Sequence, residues 1–508
     1  MNILNCVLTW LLLSFTTLVY GSRIAFKRKS SYATAFSGSH QKRILSLTEV
    51  NPDGEQGTLY TATIYVEGKP LSVVVDTGSA DLWFNTHNAS FSNATKLGVQ
   101  TDIHYISSTV SGEVLTTSMR LGELNIDQQV FMNVSGPNDF RDRADGLLGL
   151  GFPQVSFISK ALKSDRRFPT FLENIFNSYP SLPTYTTFQL NRSLIGTFDG
   201  GFFTIGELLE DFQGIADSPR LPILSSGGAY IEWMSVLDSV TINDRRYTGK
   251  DVLNATTGKP DQYQGKMLIE FDTGTTLFYG SKFYVDTIYG GLPGAKLVDE
   301  DLGVWSFPCD SKFNVSFTLG GLEYPINPLD MTILAIDLKN GSINCGSAMR
   351  YIPPRVGQGR DFFFGHSFLR NVYSLFNYGN ITKGRSGKPY VQLLSTTDIS
   401  QALADFDRLN EIRIKQLQEL YEQEVRQATA SPTPALQGVL ASDSSSLHTE
   451  DMATLQRNLS IIIALLGVTI FLLLILVVLY LVRSRSSQNV RYKAINPYSD
   501  RSDKAYDI

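Results

Sequence analysis

The chain has 508 residues, of which 43% are hydrophobic and 18% charged, with 3 Cys, 5 His and a formal net charge of -5. At roughly 150 residues per domain, that length allows about three domains or one large bilobal unit with appendages, ample for a sizeable core. The acidic balance and the lack of a Lys/Arg cluster in the main body argue against a nucleic-acid binder, and so few Cys and His exclude a disulfide-stapled miniprotein and leave little for a zinc site.

In chain order, Leu4 to Tyr20 come first, an apolar stretch short for a membrane span and followed by Gly21. We read residues 1–21 as a secretory signal peptide, although the leading segment lacks the usual Lys or Arg; an uncleaved N-terminal anchor is the alternative. Residues 22–43 form a short propeptide candidate that ends in the dibasic pair Lys42-Arg43.

Residues 44–395 read as short β-branched and aromatic runs separated by Gly, Asn, Asp and Pro, among them Leu59–Val66, Leu71–Val75 and Phe313–Phe317. Runs of that length suit strands, so the body is expected to be all-β, with short helices at Thr170–Ser178 and Ser281–Ile288. Beyond it, residues 396–458 are expected to hold a helix and a linker. Asp398 to Arg426 is rich in Leu, Glu, Gln and Arg and contains neither Gly nor Pro. Its apolar positions, including Leu403, Phe406, Leu409, Leu417 and Leu420, do not sustain heptads, which favours a solvated stalk over a dimerising coiled coil. Ala428 to Glu450 has the Ser/Pro content of a flexible linker.

Leu459 to Val482 is a run of 24 residues without a charge. At ~1.5 Å per residue it is long enough to cross a hydrocarbon core of ~30 Å, so it is expected to be a single transmembrane helix. Arg483, Arg485, Arg491 and Lys493 follow, which places the tail, residues 483–508, in the cytosol of a type I membrane protein. Tyr492-Lys493-Ala494-Ile495 has the form of a sorting signal read by adaptors, although four-residue matches also arise by chance. Asn-X-Ser/Thr sequons at Asn88, Asn93, Asn133, Asn191, Asn254, Asn314 and Asn380 lie on the expected lumenal side and are glycosylation candidates. Cys6 leaves with the signal peptide. Cys309 and Cys345 then remain, 36 positions apart, either as a disulfide worth ~3–4 kcal/mol in an oxidising compartment or as two free thiols.

An internal repeat carries the chemistry. Val73-Val74-Val75-Asp76-Thr77-Gly78-Ser79 recurs 196 positions later as Leu268-Ile269-Glu270-Phe271-Asp272-Thr273-Gly274-Thr275. In each copy an apolar run delivers an Asp into a Gly-containing turn, with a hydroxyl three positions after the Asp. Each is followed by a second apolar run ending in Gly, at Gly146–Gly149 and Phe362–Gly365. Two similar lobes would each offer one carboxylate on a loop. If Asp76 and Asp272 meet, they cannot both ionise, and the pair holds one proton over a wide acidic window. One carboxylate can then take a proton from water while its partner donates to a scissile carbonyl, so no metal or cofactor is needed.

These residues resemble the pepsin-type aspartic proteases. Asp76-Thr77-Gly78-Ser79 with Asp81-Leu82-Trp83 matches the family's first active-site motif, and Asp272-Thr273-Gly274-Thr275 matches its second. Ala144–Leu150 and Phe364-Gly365 with Phe368-Leu369-Arg370 match the two elements beneath the catalytic loops. The resemblance covers roughly residues 50 to 395. It implies a bilobal, pseudo-twofold fold, with lobes at residues 44–215 and 216–395, that hydrolyses polypeptides. With the span added, the chain is similar to the membrane-anchored fungal processing members of this family.

The resemblance makes Asp76 and Asp272 the catalytic pair, supported by Gly78 and Gly274, with Ser79 and Thr275 bonding their outer oxygens and Thr77 and Thr273 tying the loops together. Tyr105 falls at the tyrosine of the family's mobile flap, although it can also be read as an ordinary strand aromatic. Cys309 and Cys345 fall where the family has a C-lobe disulfide. Ile106 and Ser108 replace the glycines usual after the flap tyrosine, and His366 stands where relatives commonly carry Asp. These departures and the short prosegment leave a catalytically inactive, peptide-binding protein of the same fold as the alternative. The expected partners are polypeptide substrates and a membrane, and the protein is expected to act as a monomer in the secretory pathway, bound for endosome, vacuole or cell surface.

Overall fold

The structure is a computed structural model that describes residues 44–50, 59–85, 91–105, 108–134, 144–192, 199–250, 263–337, 341–353 and 359–430. The expected strands form. Leu59–Val66 is a strand as read, Leu71–Val75 widens to Lys69–Asp76, and the Phe313–Phe317 run appears as Val315–Leu319. Both short helices are present. Phe171–Ser178 starts behind Thr170, whose N–H donates to Glu173 Oε2 at 2.9 Å, and Lys282–Tyr289 follows Ser281.

Two halves are built on the same plan. In the first, Lys69–Asp76 runs parallel to Gly146–Gly149, which aligns Asp76 with Gly149. In the second, Met267–Phe271 runs parallel to Phe362–Phe364, so that Asp272 emerges beside Gly365. A pair of bonds repeats with the same spacing: Ser72 N donates to Asp145 Oδ2 at 2.7 Å, and Leu268 N donates to Asp361 Oδ2 at 2.8 Å, each four residues before the aspartate of its motif.

One 13-stranded sheet carries the first half and continues into the second. Val372–Asn377 and Tyr390–Ser395, late in the chain, join it by pairing Val372–Asn377 against Tyr185–Leu190. Smaller sheets of five, four and four strands make up the rest of the second half. Aromatic packing fastens the halves: Phe152 lies 4.4 Å from Trp233 between ring centroids, and Phe376 meets Trp233 edge-on at 5.0 Å. The hydroxyl of Tyr378 donates to the Leu150 carbonyl at 2.7 Å.

An ionic clamp joins the halves as well. Asp330 accepts from Arg370 Nε at 2.7 Å, from Arg192 Nε at 2.9 Å and from Asn371 Nδ2 at 3.0 Å. Burial alone would raise the Asp330 carboxyl, but Arg192 and Arg370 outweigh it and hold it below the ordinary value. A carboxylate depressed in the folded state contributes stability that is present above its unfolded pKa and fades only as the pH drops through the lower folded value. The clamp therefore persists into acid.

The expected stalk helix spans Ile399–Ala430, and its first half does not stand free in solvent. Ala402, Phe406 and Asn410 are buried at four-residue spacing, and Ile414 and Leu417 pack against the core. Asn410 Nδ2 donates to the Cys309 carbonyl at 2.8 Å, and Arg413 donates to the carbonyls of Leu329 and Thr332 at 3.1 Å each. Cys309 and Cys345 form a disulfide, with Cα atoms 5.2 Å apart. The candidate signal peptide, the propeptide, the linker, the Leu459–Val482 run and the tail lie outside the described residues. Among the described residues no helix is long and apolar enough to cross a membrane.

Because Phe406 is fully buried, Phe406→Ala is expected to destabilise the folded unit by ~3–5 kcal/mol. Thermal unfolding checks this: a free stalk would leave the melting temperature unchanged.

Candidate active site

Each motif aspartate sits where a buried strand gives way to a turn, so its backbone is held by the sheet and its carboxylate is presented at the cleft floor. Asp76 and Asp272 are 5% and 7% exposed. The two loops are locked reciprocally: Thr77 N donates to Thr273 Oγ1 and Thr273 N donates to Thr77 Oγ1, both at 3.0 Å. Thr273 Oγ1 in turn donates to the Val75 carbonyl at 3.0 Å.

The carboxylates face each other across this lock. Gly78 N lies 2.8 Å from Asp76 Oδ1 and 3.1 Å from Asp272 Oδ1, so one N–H serves both. Gly274 N donates to Asp272 Oδ1 at 2.8 Å. On the outer side, Ser79 Oγ donates to Asp76 Oδ2, and Thr275 Oγ1 donates to Asp272 Oδ2 at 2.6 Å. Glycine is required at the crossing points. A Cβ on Gly78 would come within 2.8 Å of Asp272 Oδ1, and one on Gly274 within 2.3 Å of Asp76 Oδ1. Burial, followed by the charge of Asp272, pushes the Asp76 carboxyl well above the ordinary value.

A cleft of about 370 Å³ opens over the pair. Its first-half wall is apolar, with Trp83, Ile103, Val110, Leu147 and Phe157. Tyr105 directly follows the strand Thr95–His104 of a hairpin whose return strand is Thr109–Leu121, and its hydroxyl accepts from Trp83 Nε1 at 2.7 Å. Ser108 stays within this turn, its carbonyl accepting from Tyr105 N at 2.8 Å, while Ile106 lies outside the described residues. Asp81 is buried beneath, accepting from Ser156 Oγ at 2.5 Å and Phe157 N at 2.7 Å, which ties the first motif to the short helix Phe157–Ala161. Among the described residues, no group of three or more His, Cys, Asp or Glu side chains converges as a metal site would require.

The family model described as eukaryotic aspartyl protease matches residues 59–386. The chain belongs to that family. It is 24% identical over 366 residues to an aspartic protease of Phaffia rhodozyma, covering 68% of this chain and 80% of that one. It is 24% identical to mouse cathepsin E over 63% of this chain and 78% of the relative, and 23% identical to pig pepsin A over 64% and 80%. It is thus an aspartic endopeptidase, a hydrolase of polypeptides, and the inactive binding protein is not favoured.

The match ends at residue 386, before the docked helix Ile399–Ala430 begins. His366 is fully buried under the second loop of this aspartyl protease, with Nε2 2.6 Å from the Thr273 carbonyl and its ring edge-on to Tyr60. Of the sequons, Asn93, Asn314 and Asn380 are exposed, Asn133 and Asn191 are half-buried, and Asn88 and Asn254 lie outside the described residues. One cleft feature was not legible from the motifs. Glu270, two residues before Asp272, is buried and forms an ion pair with Arg360, which also holds Glu232 at 2.5 Å.

A carboxyl raised on folding binds its proton more tightly in the folded state, so it costs stability at pH values above its unfolded pKa. That cost disappears as the pH falls below the ordinary Asp value of 3.8. Asp76→Asn is therefore expected to melt higher than wild type at pH 7, by about 1.4 kcal/mol for each unit of upward shift removed. The gain should vanish by pH 3. Calorimetry at the two pH values checks it, and equal melting points at pH 7 would contradict the raised carboxyl.

Proposed function

We propose that this aspartyl protease is an acid-active, membrane-anchored endopeptidase in which Asp76 and Asp272 share one proton and activate a water between them. The observation that carries this reading is the Gly78 N–H bonded to a carboxylate oxygen of each aspartate, which holds the two groups close enough to compete for a proton. In the first step the ionised carboxylate takes a proton from the water as its oxygen attacks the scissile carbonyl carbon. The neutral carboxyl gives its proton to the carbonyl oxygen, producing a neutral tetrahedral diol. In the second step a diol hydroxyl returns a proton to the ionised carboxylate, the amide nitrogen gains one from the other carboxyl, and the C–N bond breaks. The pair ends with one proton, as it began.

Ser79 and Thr275 steady the outer oxygens of the pair, and Thr77 and Thr273 keep the two loops in register. The Tyr105 hairpin acts as a flap whose closure excludes water and aligns the peptide. Activity falls as rising pH removes the shared proton, in keeping with the raised Asp76 carboxyl.

The anchored form, similar to the fungal processing members of the family, rests on the Leu459–Val482 run and the basic residues after it. On this reading residues 1–21 direct the chain into the secretory pathway, and cleavage after Lys42-Arg43 frees the enzyme. Ile44–Val50 begins directly after that pair and forms a strand bonded to Asp199–Ile205 on one side and Leu59–Val66 on the other, which supports maturation at this point. The enzyme then meets secretory, endosomal, vacuolar or cell-surface proteins that share its membrane or lumen.

Pepstatin-sensitive cleavage of peptides at acidic pH is expected. Asp76→Asn or Asp272→Asn should lower kcat by at least about 1000-fold, and unaltered activity in both variants would reject the mechanism. The full chain should remain with membranes after an alkaline carbonate wash, whereas deletion of residues 459–508 should release it. Tyr492→Ala should move the protein toward the cell surface if adaptors read the tail, and an unchanged distribution rejects that role.

A further inference from the structure

The pseudo-twofold plan matches one cross-strand row of the first half to one of the second. In the first half, lateral pairing runs Val74, Leu147, Trp83, Met132 across Lys69–Asp76, Gly146–Gly149, Leu82–Asn85 and Leu124–Val134. In the second it runs Glu270, Phe363, Tyr279, Arg350 across Met267–Phe271, Phe362–Phe364, Phe278–Gly280 and Met349–Tyr351. Laterally paired residues share a face of their sheet, and Leu147 and Trp83 in one row, Glu270 and Phe363 in the other, line the cleft. Both rows therefore lie on the cleft face. The first is apolar throughout, and it continues from buried Met132 onto Val114 of the hairpin that leads to Tyr105. The second ends at Arg350, on the last strand of its five-stranded sheet.

Arg350 is half-buried, and its Nε is buried with no hydrogen-bond partner among the described residues. Burial lowers the guanidinium from its ordinary value, but from so high a start it stays charged in acid. The groups that act on it are Tyr279, Asp299 and Tyr289. The phenols are neutral in acid, and Asp299 Oδ1 already accepts from Asp301 N at 3.0 Å and Leu302 N at 2.9 Å. Glu270, raised to about 8, is neutral in acid as well, which leaves Arg350 as the charged member of its row. A neutral substrate side chain laid over it would leave a partly desolvated cation unmatched, whereas a carboxylate would supply charge-assisted hydrogen bonds. Strands lie ~4.8 Å apart, so Arg350 stands roughly 14 Å across the sheet from the strand that leads to Asp272, while an extended peptide advances ~3.3 Å per residue. With the reach of both side chains allowed for, the guanidinium falls beside a substrate residue about two to four positions from the cleaved bond.

We propose that Arg350 is a specificity-determining residue that binds the ionised side chain of a substrate Glu or Asp about two to four residues from the scissile bond, on the cleft flank built by the second half. The enzyme then favours bonds with an acidic residue at that remove over bonds without one. This rests on the dyad reading above, because it takes the cleft over Asp76 and Asp272 as the substrate channel.

The test uses the full chain in detergent and matched peptides in which Glu and Gln are exchanged at each position around a fixed cleaved bond. At pH 5 most of a substrate Glu, with its ordinary pKa of about 4.3, is ionised. One position at the stated remove should then give kcat/KM for Glu at least about fivefold above Gln, through KM and not kcat. Arg350→Met copies the first-half row and should bring that ratio below about twofold, whereas Arg350→Lys keeps the cation and should keep Glu ahead. At pH 3 the substrate carboxyl is protonated, so the wild-type ratio should also fall below about twofold. That measurement needs no variant and decides the matter if Arg350→Met fails to fold. Equal cleavage of Glu and Gln peptides at every position at pH 5 overturns the assignment and leaves the dyad reading standing. A preference that survives in folded Arg350→Met, or at pH 3, does the same. Failure of the wild-type chain to cleave any peptide overturns the dyad reading and the assignment with it.

Discussion

Two carboxylates placed side by side in a buried cleft repel each other, and the rest of this fold can be understood as the means of keeping them there. The reciprocal Thr77–Thr273 bonds join the loops at their backbones, and the shared Gly78 N–H spans both acids. Neither contact would suffice if the halves could drift apart. The 13-stranded sheet that receives late strands from the second half, the Phe152–Trp233 contact and the Asp330 clamp all bear on that same junction. Strain from unfavourable charge at the site is offset by packing and pairing elsewhere, as expected where a functional site departs from the most stable local choice.

Burial pushes both buried acids upward, and their partners decide where each one ends. Asp76 has hydroxyl and amide donors but a like charge opposite, and it is pushed up. Asp330 has two guanidinium groups and is held down, although desolvation acts on it in the same sense. One group therefore keeps a proton where chemistry needs it, while the other stays ionised where structure needs it. Glu270 is intermediate: burial raises it to about 8 despite Arg360, with Glu232 and Asp272 adding to the rise.

The docked helix Ile399–Ala430 is part of the folded enzyme. Asn410 and Arg413 satisfy backbone carbonyls beside the disulfide and beside the Asp330 turn, so the helix is continuous with the lobe that carries Asp272. Its first five turns share the lobe's packing.

The twin aspartate motifs and the strands behind them were legible in the sequence because they are local: an apolar run, an acid, a glycine and a hydroxyl at fixed spacing, written twice. The disulfide partners and the capped helix at Thr170 were legible for similar reasons of count and spacing. The face of the terminal helix was not, since its docking positions include Asn410 and Arg413, which read as solvent-facing until the carbonyls they meet are known. Nor was the ionic wall. Glu270 and Arg360 are 90 positions apart, and although Glu270 lies in the run that leads to Asp272, nothing in that run points to Arg360. The sequence by itself determined the chemistry, because each catalytic loop is encoded by contiguous residues. Only the tertiary structure decided what surrounds that chemistry, because the polarity of a cleft wall is set by which distant side chains the sheets bring into contact.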